Sequence, residues 1–280
     1  MLGAAVRAGA ARLKPSPTAQ LDARVIAKAV FNLDDVDLIT DERRTIEPAS
    51  LAAFEAAIER RAAGEPVAYI VGRREFWSLD LEVAPGVLVP RGDSETLIEA
   101  VIEARDKNAP LRILDLGCGS GALLCALLSV FPRAGGVGVD INPRAAALTR
   151  RNLARLGFGT RASAIVAGWR APLAGRFDVV ISNPPYIPDG ARAALPVDVR
   201  EFEDPRALFA GPDGLDAYRD ILAAAPDHIA PDGLVVLEIG DDQAAGLCAL
   251  ARAAFPETAP VIRCDLGGRP RGLILDFARK

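Results

Sequence analysis

The chain has 280 residues, half of them hydrophobic and a quarter charged, with 33 Lys and Arg against 37 Asp and Glu. That length predicts about two domains, and the composition excludes a disordered chain. A net charge of −4 excludes non-specific polyanion binding, which rests on many basic side chains displacing counterions.

Among the basic residues, 29 are Arg and four are Lys (Lys14, Lys28, Lys107 and Lys280); this reads as coding bias. No apolar run approaches the ~18 residues needed to cross a bilayer, so no membrane partner is expected. The first 21 residues hold Arg7, Arg12 and Lys14 but no acid. Lacking a secretory apolar stretch, they read as the first helix of a cytoplasmic protein rather than a targeting segment.

Thr18 predicts the cap of a helix with Leu21, Val25, Ile26, Ala29 and Val30 on its apolar side. A second amphipathic run follows Pro48, with Leu51, Phe54, Ala57 and Ile58 on one face, and stops near Gly64. Residues 1–66 are therefore expected to form a small helical domain. From Tyr69 to Val89 the pattern becomes β-like: Tyr69–Gly72, Glu75–Trp77 and Leu79–Val83 suggest a hairpin, with Ala84-Pro85-Gly86 as its turn. Residues 67–90 then link the helical domain to a main domain over 91–280.

Beyond residue 94 strands and helices alternate. Strand-like runs fall at 112–116, 136–140, 164–166, 177–182, 234–239, 261–265 and 273–277; helix-like runs fall at 95–105, 121–130, 143–156, 215–228 and 242–254. This alternation predicts an α/β fold with a parallel sheet and helices on both faces. The short link Gly267-Gly268-Arg269-Pro270 predicts an antiparallel final pair.

Cysteines at 118, 125, 248 and 264 form no C-x-x-C and are expected to be reduced, small, buried hydrophobes. The only histidine, His228, stands at a predicted helix end before a turn, where a surface or capping role is expected. One histidine excludes a multi-His metal site and supplies at most one member of a His-based triad. No metal is expected.

Chemistry is carried by three stretches. Ile113-Leu114-Asp115-Leu116 leads into Gly117-Cys118-Gly119-Ser120-Gly121, a strand followed by G-x-G-x-G. Glycines there let the backbone turn sharply and approach a ligand at the sheet's carboxyl edge. A dinucleotide fold uses G-x-G-x-x-G, one residue longer, so this variant resembles motif I of the class I S-adenosyl-L-methionine methyltransferases. The next strand ends in Asp140, 19 residues after Gly121. An acid there can accept from both ribose hydroxyls of NAD or of S-adenosylmethionine; it indicates adenosine without choosing between them, and it is also placed to cap the helix that starts at Pro143.

The third stretch, Asn183-Pro184-Pro185-Tyr186, follows the strand Phe177–Ser182. Two prolines stiffen the loop and remove two donors. The Asn183 side-chain oxygen and the Pro184 carbonyl can accept both hydrogens of a planar –NH2 group, and Tyr186 offers it an aromatic face. A delocalised amide or aromatic amine is a poor nucleophile. Two acceptors orient it and stabilise the positive charge that develops as it attacks. Adenine methyltransferases share this motif. They require base flipping and a surface that faces nucleic acid, and the acidic chain shows no such target-recognition domain, so a protein amide is preferred.

Over nearly its whole length the chain resembles the peptide chain release factor N5-glutamine methyltransferases (the PrmC/HemK family). The resemblance rests on Asn183–Tyr186, Glu65–Gly72 with Glu75-Phe76-Trp77, Val87–Arg91, Asp213-Gly214-Leu215-Asp216, Glu238-Ile239-Gly240 with Gln243, and Asp265–Arg269. It implies a helical N-terminal domain for substrate recognition and a seven-stranded Rossmann-like methyltransferase domain. The implied cofactor is S-adenosyl-L-methionine, converted to S-adenosyl-L-homocysteine, and the substrate is the G-G-Q glutamine of class I release factors. By position, Gly117, Cys118, Gly119, Ser120, Gly121, Asp140, Trp169 and Asn183 would bind the cofactor. Asn183, Pro184, Pro185 and Tyr186 would bind the glutamine, with Asn183, Pro184 and Tyr186 as the catalytic group.

Two positions depart from the family pattern. Gly92 replaces the second proline of P-R-P-E-T-E, and Gly168 stands where an acid usually precedes the tryptophan. Losing that acceptor would cost the adenine amine about 0.5–1.5 kcal/mol. Other readings are glutamine methylation of a ribosomal protein, a non-catalytic adaptor with this fold, and adenine methylation.

Overall fold

The computed structural model describes residues 1–14 and 16–278. It divides into two compact units, Met1–Arg73 with Pro196–Phe202, and Arg74–Leu195 with the chain from Glu203 onward.

The first unit contains α1 (Leu2–Arg12), α2 (Ala19–Phe31), α3 (Asp35–Thr40), α4 (Pro48–Ala62) and α5 (Val67–Val71). Leu2, Ala23, Ile26, Ala27, Phe54 and Ile58 pack together as its core. The buried face of α2 is Asp22, Ala23, Ile26 and Ala27, and Leu21 is exposed. The expected apolar side is therefore rotated, because Asp22 turns inward to accept from Arg61 Nε of α4 at 2.8 Å. Thr18 does precede α2, but its side chain caps no helix N–H; its hydroxyl lies 3.1 Å from that of Ser16. A capping box that links Asp34 and Asp37 opens α3. Tyr69-Ile70-Val71, expected to be extended, belongs to α5, which starts after Pro66 and stops at Gly72 in a left-handed conformation.

The hairpin pairs β1 (Arg73–Phe76) with β2 (Leu79–Glu82). Its turn is Trp77-Ser78, not Ala84-Pro85-Gly86. Both turn residues have positive φ, 52° and 57°, the two-residue geometry that matches strand twist. Without Asn-Gly the sequence does not advertise it. Glu95 Oε1 accepts from Trp77 N at 2.8 Å and Glu75 Oε1 from Ser78 N at 2.6 Å, so side-chain carboxylates hold a turn that lacks glycine.

The remaining elements, in order, are α6 (Glu95–Ala104), β3 (Arg112–Leu116), α7 (Ala122–Val130), β4 (Gly135–Asp140), α8 (Pro143–Arg155), β5 (Ala162–Val166) and β6 (Phe177–Ser182). Then come α9 (Val197–Phe202), α10 (Asp216–His228), β7 (Ile229–Glu238), α11 (Ala244–Ala254), β8 (Val261–Cys264) and β9 (Pro270–Asp276). Seven strands form one sheet in the order β5-β4-β3-β6-β7-β9-β8. The first five run parallel, β9 is antiparallel to β7, and β8 is antiparallel to β9.

Alternation along the central strands sets the two cores. Ile113, Val179, Ile181, Leu234 and Val236 face α6 and α7, while Leu114, Val180, Val235 and Leu237 face α10 and α11. Both faces are covered, so the strands read as continuous apolar runs. Chain order reverses between β3 and β6, and Leu116 is level with Ser182 there. The Gly117 and Asn183 loops thus leave neighbouring strands side by side, at the topological switch point where open α/β sheets bind ligands.

Two expectations about single residues fail. His228 does end α10, but it is buried, and the exposed residues are Pro231 and Asp232 in the irregular start of β7. Cys118 and Cys125 are buried, but Cys248 is half-buried and Cys264 is exposed, the last because it ends the edge strand β8. No helix among the described residues is long and apolar enough to cross a membrane.

Candidate active site

The carboxyl ends of β3, β4 and β6 open onto a cavity of about 460 Å³, a size typical of small-molecule sites. Its lining includes Gly117–Ser120, Asp140–Asn142, Gly168, Trp169, Asn183 and Pro185.

Gly117, Gly119 and Gly121 all have positive φ, 70°, 56° and 82°, which an L-residue adopts at a cost of about 1–2 kcal/mol. At Gly121 a Cβ would also lie 2.8 Å from Thr149 Cγ2. Four amides of the loop are taken by the protein: Gly117 N and Cys118 N donate to Val139 O at 2.8 and 3.0 Å, and Gly121 N to Cys118 O at 2.7 Å. Gly119 N donates to Asp140 Oδ2 at 2.9 Å. A pyrophosphate needs free N–H groups at this turn, and these four are committed.

Charge points the same way. Four carboxylates line the cavity (Asp140, Asp204, Asp216 and Asp220) against two guanidiniums, Arg91 and Arg206, a balance that favours a cationic ligand over an anionic one. Beneath the loop Asp115 is 1% exposed, and burial pushes its carboxyl up to about 7.

Burial also raises Asp140, against the pull of its hydrogen bonds from Asn142 N and Gly119 N. Asn142, not Asp140, caps α8 by accepting from Arg144 N at 3.0 Å. Asp140 Oδ1 and Oδ2 hold Asn142 N and Gly119 N and keep a second lone pair each for a ribose diol. Trp169 lies over Gly117, where a Cβ would come within 3.1 Å of the ring. At Gly168 a Cβ would meet open space. These residues fit an adenosine that carries a positively charged group: a diol acceptor, an aromatic plate and an acidic lining.

The β6 loop divides by role. Asn183 and Pro185 line the cavity; Pro184 and Tyr186 do not. Pro184 is buried, and its carbonyl has no partner among the described residues. Tyr186 packs against the second core, and burial pushes its phenol up to about 12, so it stays neutral at physiological pH. Gln243 ties this loop to two others: its Nε2 donates to Tyr186 O at 2.9 Å and Gly214 O at 3.3 Å, and its Oε1 accepts from Gly240 N at 3.0 Å. Three separate sequence blocks thus meet on one side chain.

Sequence reasoning missed a polar chain behind Asn183. Asn183 Nδ2 donates to Ser94 Oγ at 3.1 Å, and Ser94 Oγ donates to Glu238 Oε2. Ser94 and Glu238 are both buried, and burial pushes the Glu238 carboxyl up to about 7. The available signal was an acid that ends the aliphatic run Leu234–Leu237. Asn152 is the second omission. Fully buried, it accepts from Glu82 N at 2.8 Å and donates to Glu82 O and Ser120 O, each at 2.9 Å, fastening the hairpin to the glycine loop.

Residues 4–72 match the PrmC N-terminal domain and residues 92–198 the methyltransferase small domain. The chain is 40% identical to the release factor glutamine methyltransferase of Bradyrhizobium diazoefficiens, over 94% of this chain and 91% of that one. It is 41% identical to the Moorella thermoacetica protein of that name, over 96% and 95% of the two chains. Among solved structures, a 16S rRNA N2 methyltransferase from T. thermophilus, in complex with AdoMet and guanosine, shares the fold at TM-score 0.54 and 19% identity. That match covers 73% of this chain and 49% of the other. A methyltransferase from Pyrococcus furiosus matches at TM-score 0.52 and 19% identity, over 80% and 97%.

Proposed function

We infer the reaction from kinship joined to geometry: this chain belongs to the release factor glutamine methyltransferases. It transfers a methyl group to the side-chain amide nitrogen of a release factor glutamine, the one in the G-G-Q motif of class I factors. The observation that carries the reading is the placement of Asn183, with Nδ2 anchored at 3.1 Å on Ser94, on the wall of a cavity shared with Gly117–Ser120 and Asp140.

S-adenosylmethionine, when bound, supplies a methyl group on a positively charged sulfur. Gly117 to Gly121 would shape the floor for it, Asp140 would hold the ribose and Trp169 would pack on the adenine. The substrate amide nitrogen is a weak nucleophile because its lone pair is delocalised. Asn183 Oδ1 accepts one of its hydrogens and the Pro184 carbonyl the other, which aims the nitrogen and offsets the positive charge it gains on attack. Tyr186, neutral and packed behind the loop, keeps the two acceptors in register. The bond from sulfur to methyl would break as the bond from nitrogen to methyl forms, and the cationic N-methyl amide, a strong acid, would release its extra proton to water. None of these roles needs a general base, in keeping with a chain that has one histidine, buried at the end of α10.

Residues 1–66 serve in substrate recognition on this reading, and release factors place the reaction in the cytoplasm. Incubation with S-adenosylmethionine and a class I release factor, followed by peptide mass mapping, is expected to add one methyl to the G-G-Q glutamine. Asn183→Ala is expected to abolish turnover while keeping the fold, read by circular dichroism. An unmodified glutamine at saturating cofactor, or a fully active Asn183→Ala variant, would refute the assignment.

A further inference from the structure

Glu238 is a buried carboxyl group, 2% exposed at the end of β7, that methyl transfer as described does not use. Its surroundings come from four elements. Ser94 and Asp93 reach it from the turn before α6, Asn183 and Tyr186 from the loop after β6, and Arg271 from β9. Tyr218 of α10 donates to its backbone carbonyl at 2.7 Å. Arg271 is itself shared with Asp93 and Asp265, each at 3.3 Å, so it only partly neutralises the site.

We propose that Glu238, acting through Ser94, is a positioning residue that locks the Asn183 amide with its –NH2 toward the protein and its Oδ1 toward the cavity. The inference rests on the reading that Asn183 Oδ1 receives the substrate amide. A serine hydroxyl has one proton and two lone pairs. An ionised Glu238 can only accept, so Ser94 spends its proton there and presents only lone pairs to Asn183. The one edge of the amide that can meet lone pairs is –NH2, as observed at 3.1 Å. The Asn183 amide also favours the Glu238 charge. Flipping the amide would set Oδ1 against the Ser94 lone pairs and aim two N–H donors at the substrate's own N–H groups.

Protonation undoes the lock. A neutral Glu238 can donate to Ser94, which frees the hydroxyl proton to turn to Asn183 Oδ1, and both amide orientations become satisfiable. The change is centred where burial has moved the carboxyl, about pH 7. A primary amide substrate does not titrate there. The rate should therefore fall as pH drops through about 7.

The test uses the full chain, with three variants and two readouts. In methylation kinetics on a class I release factor, Ser94→Ala is expected to lower kcat about tenfold at pH 8, the scale of one hydrogen bond. KM for the factor and calorimetric affinity for S-adenosylmethionine should stay unchanged, and Ser94→Thr, which restores a hydroxyl, should recover kcat. Glu238→Gln, able to donate and accept, is expected to show lowered kcat with no dependence on pH between 6 and 8, where the wild type rises. The second readout needs no substrate. The Asn183 side-chain –NH2 resonances of the nitrogen-15-labelled protein should titrate with a midpoint near pH 7 in wild type and stay fixed in Glu238→Gln. Resonances that do not move with pH, or a Ser94→Ala variant with wild-type kcat, would overturn the lock. Failure of the wild type to methylate the factor would overturn the substrate reading instead, and the titration would still decide the lock.

Discussion

Asp115 offers a clear stability experiment, because its carboxyl is 1% exposed and its Oδ1 has no hydrogen-bond partner. Burial moves it from an ordinary 3.8 to about 7, helped by the nearby Asp140 charge and opposed by a hydrogen bond from Leu124 N. At about 1.4 kcal/mol per pH unit, ionisation costs the folded protein about 4 kcal/mol more than the unfolded chain. The sign follows from proton counting. Between pH 3.8 and 7 the native state holds a proton that the unfolded chain has released, so stability from this group falls as pH rises and the penalty is complete above pH 7. Asp115→Asn removes the charge and keeps an acceptor for Leu124 N. Its amide presents a donor where the protonated acid also presents one, so the two neutral forms are closely matched. The variant is expected to be more stable than wild type by about 4 kcal/mol at pH 8, with the gap narrowing to about 1 kcal/mol at pH 4.5. Urea unfolding followed by tryptophan fluorescence reads this out, since both tryptophans, Trp77 and Trp169, belong to the second unit. A gap that does not change with pH, or an asparagine variant less stable at pH 8, would refute the placement of an ionised carboxylate in an apolar floor.

Two further outcomes follow from single side chains. Asn152→Ala strands Glu82 N, Glu82 O and Ser120 O in a buried place, and is expected to cost about 2–4 kcal/mol in urea unfolding. A loss under 0.5 kcal/mol would mean that hairpin and glycine loop are held by something else. Gly168→Asp puts a Cβ into open space on the cavity wall. It is expected to tighten S-adenosylmethionine several-fold by calorimetry, the worth of one added hydrogen bond to the adenine amine; unchanged or weaker binding would show that the acceptor is not needed at that position.

What the sequence reveals and what it conceals divide along a physical line. The sheet was legible because its strands are buried on both faces and its helices are amphipathic, so hydrophobic period alone separates them. That the glycine loop, Asp140 and Asn183 come together on one cavity was legible, because each stretch lies at the carboxyl end of one strand, where a few consecutive residues must satisfy a local backbone demand. The hairpin turn was not legible, because Trp77 and Ser78 reach positive φ through carboxylates borrowed from Glu75 and Glu95 rather than through glycine. The same holds more strongly for the group behind Asn183. Ser94 stands 89 residues from Asn183 and 144 from Glu238, and nothing local to any of the three announces the others. Only the fold brings an α6 cap, a β6 loop and a β7 end to one point. Local sequence can therefore name a candidate acceptor for the substrate, while the groups behind that acceptor come from distant parts of the chain. If the Asn183 amide titrates with Glu238, the orientation of the motif is a property of the sheet and not of the motif.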